Sequence, residues 1–356
     1  MKDHRTKLVY PVPALLLCVG LGACGDDPSV VATAQEPVAP AEPGAPSEPS
    51  SPFKLLAPAA NAPAAFSQPR AGVPLGTGEV AFVAIDEALP EADVASVGPR
   101  AAVFSQAPAP EGGVLPPPRL IYAGEELVSP LDIEASADEK TLFVADYAGG
   151  TEGAGAILRL SLSGDARSFA ADGWSPRSVT LGPDELLYFS GVDPESGEPG
   201  VFRLRGDNVE PVFVGAPLVD PSGIALFRDG RVLVADTRLL DGGALFGDVT
   251  ASEAGVVLIQ NGGASVYATG FATGFPAGIA LSVDESTLII SGQGPDRRDS
   301  VYLVNVATPR EAPTIVTDVF SEEHDSSAGL KRAHDANVFI WSSLSFAGGT
   351  VFRIEG

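Results

Sequence analysis

A short pattern recurs along most of this chain, and it constrains the fold more than any other feature of the sequence. DPSGIALFRDGRVLVAD occupies residues 220–236, and FPAGIALSVDESTLIISG follows at 275–292. The proline of the pattern recurs at intervals of 46, 45 and 55 residues, at Pro130, Pro176, Pro221 and Pro276. A period of about fifty residues is typical of repeat architectures in which each unit buries its apolar faces only against its neighbours.

Each copy of the pattern has the composition of a group of β-strands. A stretch such as GIAL or DIEA is followed by a turn with Asp-Gly, Asp-Glu or Pro-Asp, and then by a short run rich in Val, Ile, Leu and aromatics. Two more apolar stretches complete most units, so each unit predicts four strands. The six copies are at 72–87, 129–146, 175–191, 220–236, 275–292 and 326–343. The sequence therefore predicts an all-β fold, a six-bladed β-propeller with four-stranded blades.

The last unit ends at Gly356 after its third strand. An open sheet edge invites aggregation, so we expect a strand from elsewhere in the chain to complete this blade. We predict that part of 53–67, either FKLLA or AAFSQ, supplies that strand. The propeller domain is then 53–356, with its first blade from about residue 72.

Over residues 72–356 the repeats resemble those of NHL-repeat and gluconolactonase-like (senescence marker protein) six-bladed propellers, at the Pro-x-Gly-Ile-Ala and Leu-x-Val-Ala-Asp positions. DEKTLFVAD also resembles repeats of seven-bladed surface-layer propellers, so seven blades is the alternative count. The gluconolactonase resemblance implies a divalent metal at the channel mouth, held in that family by Glu, Asn and Asp. Only Asp132 and Asp236 match in kind here, which puts lactone hydrolysis by that route in doubt.

The first 23 residues have the layout of a secretory signal peptide. Three basic residues precede a mostly apolar run, 8–23, which is too short to span a bilayer comfortably. The run ends in LGAC, which resembles the lipobox of bacterial lipoproteins and implies that Cys24 is lipidated after cleavage. An ordinary secretory signal with an incidental cysteine is the alternative. Gly25 replaces the Asp that often retains lipoproteins at the inner membrane, so we expect anchoring in the cell envelope at the outer membrane, on its periplasmic or surface side.

The composition of residues 24–52 predicts a tether between the lipid anchor and the domain. From 25 to 52 there are five acidic residues, seven prolines, no Lys or Arg and no apolar periodicity. Such a segment cannot bury enough surface to offset the entropy of ordering it, so we predict a disordered, extended linker.

The whole chain is acidic, with 22 Lys and Arg against 46 Asp and Glu. This balance argues against a nucleic-acid partner, which requires a basic surface. It suits a soluble surface, a cation ligand or a basic protein partner.

In a propeller, the crossings between blades and the loops after the second strands share one face of the ring. Several acidic side chains of the repeat are expected at this rim, where they could bind Ca²⁺ or another divalent cation: Asp86, Asp132, Asp146 and Asp236. The alternative is that each Asp accepts hydrogen bonds from the backbone of its own loop.

Other residues at the same rim are candidates for contact with a ligand: Ser190, Ser291, Arg297 and Arg298. The longest rim insertion, 237–254, could form an apolar lip or a contact surface through its leucines and Phe246, and the alternative is that these side chains pack on the adjacent blade. His324 lies in a polar crossing and His334 on the opposite face, and neither has the neighbours of a catalytic triad in the sequence.

The sequence favours an envelope lipoprotein that presents the propeller as a ligand-binding or protein-binding module over an enzyme, and it leaves the choice between the two open. The alternative is a metal-dependent gluconolactonase-like hydrolase acting at the channel mouth. A purely structural surface propeller is the third hypothesis, since one fold hosts many functions.

Overall fold

The computed structural model describes residues 54–61, 65–88, 100–150, 153–165, 167–239, 254–273, 276–294, 299–318, 326–344 and 349–356. The predicted signal peptide, Cys24 and the tether lie outside these residues. The described part of the chain consists of β-strands joined by turns and loops. It includes no helix that is long and apolar enough to cross a membrane.

The described residues form 24 strands in six antiparallel sheets of four strands each. In chain order the strands are β1 (Lys54–Ala60), β2 (Phe66–Pro74), β3 (Val80–Asp86), β4 (Arg100–Gln106), β5 (Arg119–Tyr122), β6 (Pro130–Ala135), β7 (Thr141–Asp146), β8 (Ala156–Ser161), β9 (Arg167–Ala170), β10 (Ser178–Leu181), β11 (Leu187–Val192), β12 (Pro199–Arg205), β13 (Asn208–Val214), β14 (Pro221–Leu226), β15 (Val232–Asp236), β16 (Ala254–Gln260), β17 (Gly263–Phe271), β18 (Ile279–Leu281), β19 (Thr287–Gln293), β20 (Asp299–Asn305), β21 (Thr314–Asp318), β22 (Ser326–Arg332), β23 (Val338–Leu344) and β24 (Thr350–Glu355).

The sheets are the six blades of a closed propeller. The first five are β2–β5, β6–β9, β10–β13, β14–β17 and β18–β21, and the sixth contains β22, β23, β24 and β1. Each inner strand contacts the inner strand of the next blade, and β22 contacts β2, so the ring closes after six blades. The predicted fold class and blade number are confirmed, and seven blades is excluded.

The outer strand of the sixth blade is β1, which comes from the start of the domain. It pairs antiparallel with β24, with Lys54 opposite Glu355 and Ala60 opposite Val351. Of the two candidate segments, the first contributes this strand, whereas AAFSQ runs into β2. The first blade therefore begins at Phe66, upstream of the position expected from the repeat.

Apolar side chains fill the spaces between neighbouring blades. One buried cluster lies at each of the six junctions, and the cluster at the closure joins Ala60 of β1 and Ile340 of β23 to Phe66 and Phe82 of the first blade. Because both faces of each blade are covered, the sequences of the central strands are short, continuous runs of apolar residues.

The glycine of the repeat lies where inner strands of adjacent blades approach most closely. A Cβ added to Gly278 would be 1.9 Å from Leu330 N, and one added to Gly223 would be 2.5 Å from Ala277 O. At Gly223 and Gly278 the backbone of the next blade occupies the space of a side chain, so these copies need glycine for steric reasons, whereas the second and third blades have Asp132 and Ser178 at the equivalent position.

Candidate functional site

The rim aspartates at the ends of two second strands brace the crossings between blades. Both carboxylate oxygens of Asp146, at the end of β7, accept backbone N–H bonds: Oδ2 from Val128 at 2.7 Å and Oδ1 from Ser129 and Gly149 at 2.8 Å and from Ala148 at 3.1 Å. Burial raises the pKa of Asp146, and these N–H donors oppose that effect. The arrangement fixes the crossing that precedes β6 against the end of β7.

Asp236 repeats this geometry two blades further on. Its carboxylate accepts the N–H groups of Val219 at 2.7 Å, Asp220 at 3.0 Å and Arg238 at 3.0 Å. Asp86 accepts the N–H of Ala88 at 3.0 Å. These hydrogen bonds are the ones expected if each Asp accepts bonds from the backbone of nearby loops and does not bind a cation.

Asp132 lies inside the channel and not at its rim. It is 3% exposed, and its Oδ2 is 2.8 Å from the ammonium of Lys331 on the inner strand of the sixth blade. The same oxygen accepts hydrogen bonds from the Ser178 hydroxyl and from the Val179 N–H at 3.0 Å, both on the inner strand of the third blade. Three blades therefore meet at this carboxylate.

The described residues contain no group of three or more His, Cys, Asp or Glu side chains arranged to hold a metal ion. The four aspartates expected to converge are distributed among separate partners. A shared divalent-cation site formed by them stays a prediction that this geometry does not support.

Ser190 and Ser291 are fully buried and bond to backbone groups. Ser190 Oγ donates to Ser222 O at 2.6 Å on the neighbouring inner strand, and Ser291 Oγ accepts the N–H of Gly278 at 2.8 Å. In this arrangement both hydroxyls stabilise strand contacts. Their role in ligand binding stays a prediction without support from the geometry. Arg297, Arg298, His324 and residues 240–253 lie outside the described residues.

A cavity of about 120 Å³ opens at the end of the channel where first strands turn into second strands. Each blade contributes one residue at the same position of its inner strand to the wall: Val73, Glu134, Thr180, Ala225, Ala280 and Lys331. This face is opposite the crossing face with the predicted rim residues.

Glu134 and Glu139 are the acidic residues that line this cavity, and Glu134 is the one on an inner strand. Its Oε1 accepts the N–H of Ala135 at 3.0 Å, and the Thr180 hydroxyl also donates to the carboxylate. Burial raises the pKa of Glu134 because desolvation disfavours the ionised form, while the positive charge of Lys331 opposes this effect and the nearby Asp132 adds to it.

Two basic residues lie at the cavity mouth: Arg332 is the last residue of β22, and His334 belongs to the turn that follows. Arg332 Nη1 donates to the carbonyls of Ala333 at 2.7 Å and His334 at 2.9 Å. His334 is exposed on the face expected from the sequence, and its Nδ1 is 2.8 Å from an Asp335 carboxylate oxygen.

Glu134 and Lys331 were not among the site residues predicted from the sequence, although a signal for them exists. Where other copies of the repeat place Thr180, Ala225 and Ala280, these two copies place an acid and a base. A charged residue on an otherwise apolar inner strand indicates a buried polar contact, since such charges are rarely buried unpaired.

No protein-family model matches this chain, and no curated protein matches it. Solved structures do match its fold. A gluconolactonase from Xanthomonas campestris is 14% identical, with a TM-score of 0.54, over 87% of this chain and 99% of the other.

Two further solved structures have comparable similarity. A protein of unknown function from Dyadobacter fermentans is 12% identical, with a TM-score of 0.56, over 85% of this chain and 99% of the other. A chain of a nidogen/laminin complex is 15% identical, with a TM-score of 0.52, over 73% of this chain and 83% of the other. At these identities the likeness concerns the fold alone, and enzymes and binding proteins both occur among the neighbours. The chain is a six-bladed β-propeller of the kind found in gluconolactonase-like proteins.

Proposed function

We propose that this chain is an envelope-anchored lipoprotein whose propeller is a binding module, with a protein ligand bound on the crossing face. The anchor is lipidated Cys24, and residues 24–52 are the tether. The proposal for the anchor depends on the LGAC sequence. The proposal for binding depends mainly on one observation, the bracing of the crossing loops by buried carboxylates.

The braced loops hold exposed apolar side chains in fixed positions. Val128 is 56% exposed and Tyr147 is 41% exposed, and both belong to the loops that bond to Asp146. The guanidinium carbon of Arg177 lies 5.5 Å from the Tyr147 ring centroid, and Arg177 also forms an ion pair with Asp220. Tyr and Arg are frequent in the energetically dominant parts of protein interfaces, and a rigid loop loses little entropy on binding.

Site-specific photocrosslinking in cells tests the binding role. A benzophenone amino acid replaces Val128 or Tyr147 in the full-length protein, and Asp207 on the turn between β12 and β13 is the control position. We expect one discrete protein adduct of the same mass from positions 128 and 147 and none from 207. The absence of an adduct at the first two positions, or the same adducts at all three, would contradict binding at the crossing face.

Detergent partitioning tests the anchor. The full-length protein is expected in the detergent phase, and Cys24→Ser is expected in the aqueous phase because it lacks the acylated thiol. Cys18→Ser is the matched control, since this residue lies within the predicted signal peptide and should leave partitioning unchanged. Equal partitioning of the Cys24→Ser variant and the parent would remove the anchor from the proposal.

The metal-dependent hydrolase is the alternative, and the shared fold with a gluconolactonase is compatible with it. It requires lactone turnover that EDTA abolishes and Ca²⁺ or another divalent cation restores. It also requires that Asp236→Asn lose this metal dependence, whereas loop bracing predicts lower stability with or without metal. Metal-dependent turnover by the purified protein would favour the hydrolase over the binding module.

A further inference from the structure

Lys331 in the channel interior binds the carboxylate of Asp132 directly but not that of Glu134. Lys331 Nζ lies 2.8 Å from Asp132, and its other short contact is to a backbone carbonyl of β10. The donors to Glu134 are neutral, namely the Ala135 N–H and the Thr180 hydroxyl. An ionised Glu134 is therefore poorly compensated, which is costly in the interior of a protein.

The remaining charged groups at the cavity have partners of their own. Arg332 lies close enough for electrostatic interaction with Glu134, but its guanidinium donates hydrogen bonds to backbone carbonyls of the turn that follows it. Glu139 Oε1 accepts the N–H of Gly76 at 2.6 Å, and His334 is exposed beside an aspartate. The inner strands of the first, third, fourth and fifth blades contribute no titratable side chain to the cavity wall.

Residues of the fourth and fifth blades with apolar side chains form part of the wall away from Glu134. These include Ala225, Leu226 and Ala280. An apolar protein cavity of about 150 Å³ is large enough for benzene. The volume of about 120 Å³ here suits a ligand of roughly five non-hydrogen atoms.

We propose that this cavity binds a small primary alkylammonium ion, with the Glu134 carboxylate as its counter-ion and the apolar wall around its alkyl chain. The ammonium group supplies the charged N–H donor that Glu134 lacks, and charge-assisted hydrogen bonds of this kind are among the strongest in proteins. The site lies at the opposite end of the channel from the crossing face, so it is independent of the proposed protein-binding role.

Proton release is a consequence of this arrangement. Because burial raises the pKa of Glu134, the carboxyl keeps its proton to higher pH than in the unfolded chain, and the ammonium ion binds the ionised form. Where the carboxyl is protonated, binding therefore displaces a proton. Affinity increases as pH rises through the Glu134 pKa, and it falls again when the amine itself loses its charge near pH ~10.

Calorimetry and thermal unfolding of the full-length protein in detergent test the proposal, with n-butylammonium as the probe. The controls are butyrate, which is an anion of similar size, and 1-butanol, which has no charge, at ionic strength matched with NaCl. At pH 8 we expect n-butylammonium to bind and to raise Tm, while the two controls do neither. Binding in buffers of different ionisation enthalpy should report proton release at a pH near the Glu134 pKa.

Two variants locate the site. Glu134→Gln should weaken n-butylammonium binding at least tenfold, whereas Glu185→Gln, an exposed glutamate on the turn between β10 and β11, should not change it. If Glu134→Gln does not fold, Ala280→Leu fills the cavity and should abolish binding with Glu134 intact. Equal binding of butyrate, unchanged affinity in these variants, or no binding to the parent protein would overturn the proposal, while the crosslinking result on the crossing face would be unaffected.

Discussion

Lys331 of the sixth blade and Asp132 of the second blade meet across the channel, with Nζ 2.8 Å from Oδ2. They are separated by 199 positions in the sequence and by the whole first blade in the ring. Both side chains are almost completely buried. The pair links two blades that are not adjacent, and it occupies the interior of the channel between the crossing face and the cavity.

The first prediction concerns this ion pair. Lys331→Met leaves the Asp132 carboxylate buried without its cation, so we expect the free energy of unfolding to fall by about 3–5 kcal/mol. Adding Asp132→Asn should recover part of the loss, because the remaining group is neutral and still accepts the Val179 N–H. Urea unfolding measures both effects. Lys140→Met, at an exposed lysine in the turn after β6, is the control; if it destabilises the protein as much as Lys331→Met does, the channel pair is not stabilising.

The second prediction concerns the pH dependence of stability. Because the folded-state pKa of Glu134 is raised, the folded protein holds this proton more tightly than the unfolded chain. Ionised Glu134 therefore destabilises the folded protein. This destabilisation is fully present above the folded-state pKa of Glu134 and disappears as pH falls below its unfolded-state pKa of about 4.3. The free energy of unfolding of Glu134→Gln should therefore exceed that of the parent by on the order of 1 kcal/mol at pH 8, and by less at pH 4. Thermal unfolding at the two pH values measures this, and a gain that does not depend on pH would show that ionisation of Glu134 is not its cause.

The third prediction concerns the glycine of the repeat. Gly278→Ala places a Cβ 1.9 Å from Leu330 N, so the inner strands of the fifth and sixth blades must move apart. Overpacking of this kind typically costs about 1–3 kcal/mol, and we expect at least the upper value because the obstacle is backbone. Gly263→Ala in β17, where the nearest atom would be 3.7 Å away, should change stability by much less. Equal effects of the two substitutions in denaturant titrations would contradict the steric explanation.

The fourth prediction concerns ring closure. Removing β1 exposes the edge of β24 and takes Ala60 out of the apolar cluster between the sixth and first blades. A soluble protein that starts at residue 62 should therefore melt at a markedly lower temperature than one that starts at residue 51, and it should aggregate more readily. Calorimetry and light scattering compare the two. Similar melting temperatures would mean that β1 contributes little to closure.

Sequence reasoning predicted the blades because a repeated pattern of short apolar runs and turns reflects local preferences. It predicted the need for a closing strand because the last unit is one strand short. It placed β2 too late, since the segment Phe66–Gly72 lacks the motif that opens the later copies.

The candidate site was harder to predict, because its contacts join residues that are distant in the sequence. The aspartates at 146 and 236 were identified, but only the structure supplied their backbone partners. The cavity could not be found from the sequence, because its wall takes one residue from each of six inner strands.

The sequence alone determined the all-β class and the order of strands within a blade, since these depend on local patterning that recurs in each unit, and it favoured six blades over seven. The tertiary structure decided which charges are paired. Whether a carboxylate such as Asp132 or Glu134 faces a rim, a lysine or a cavity depends on how six strands are brought together around one axis, and no local pattern encodes that distance.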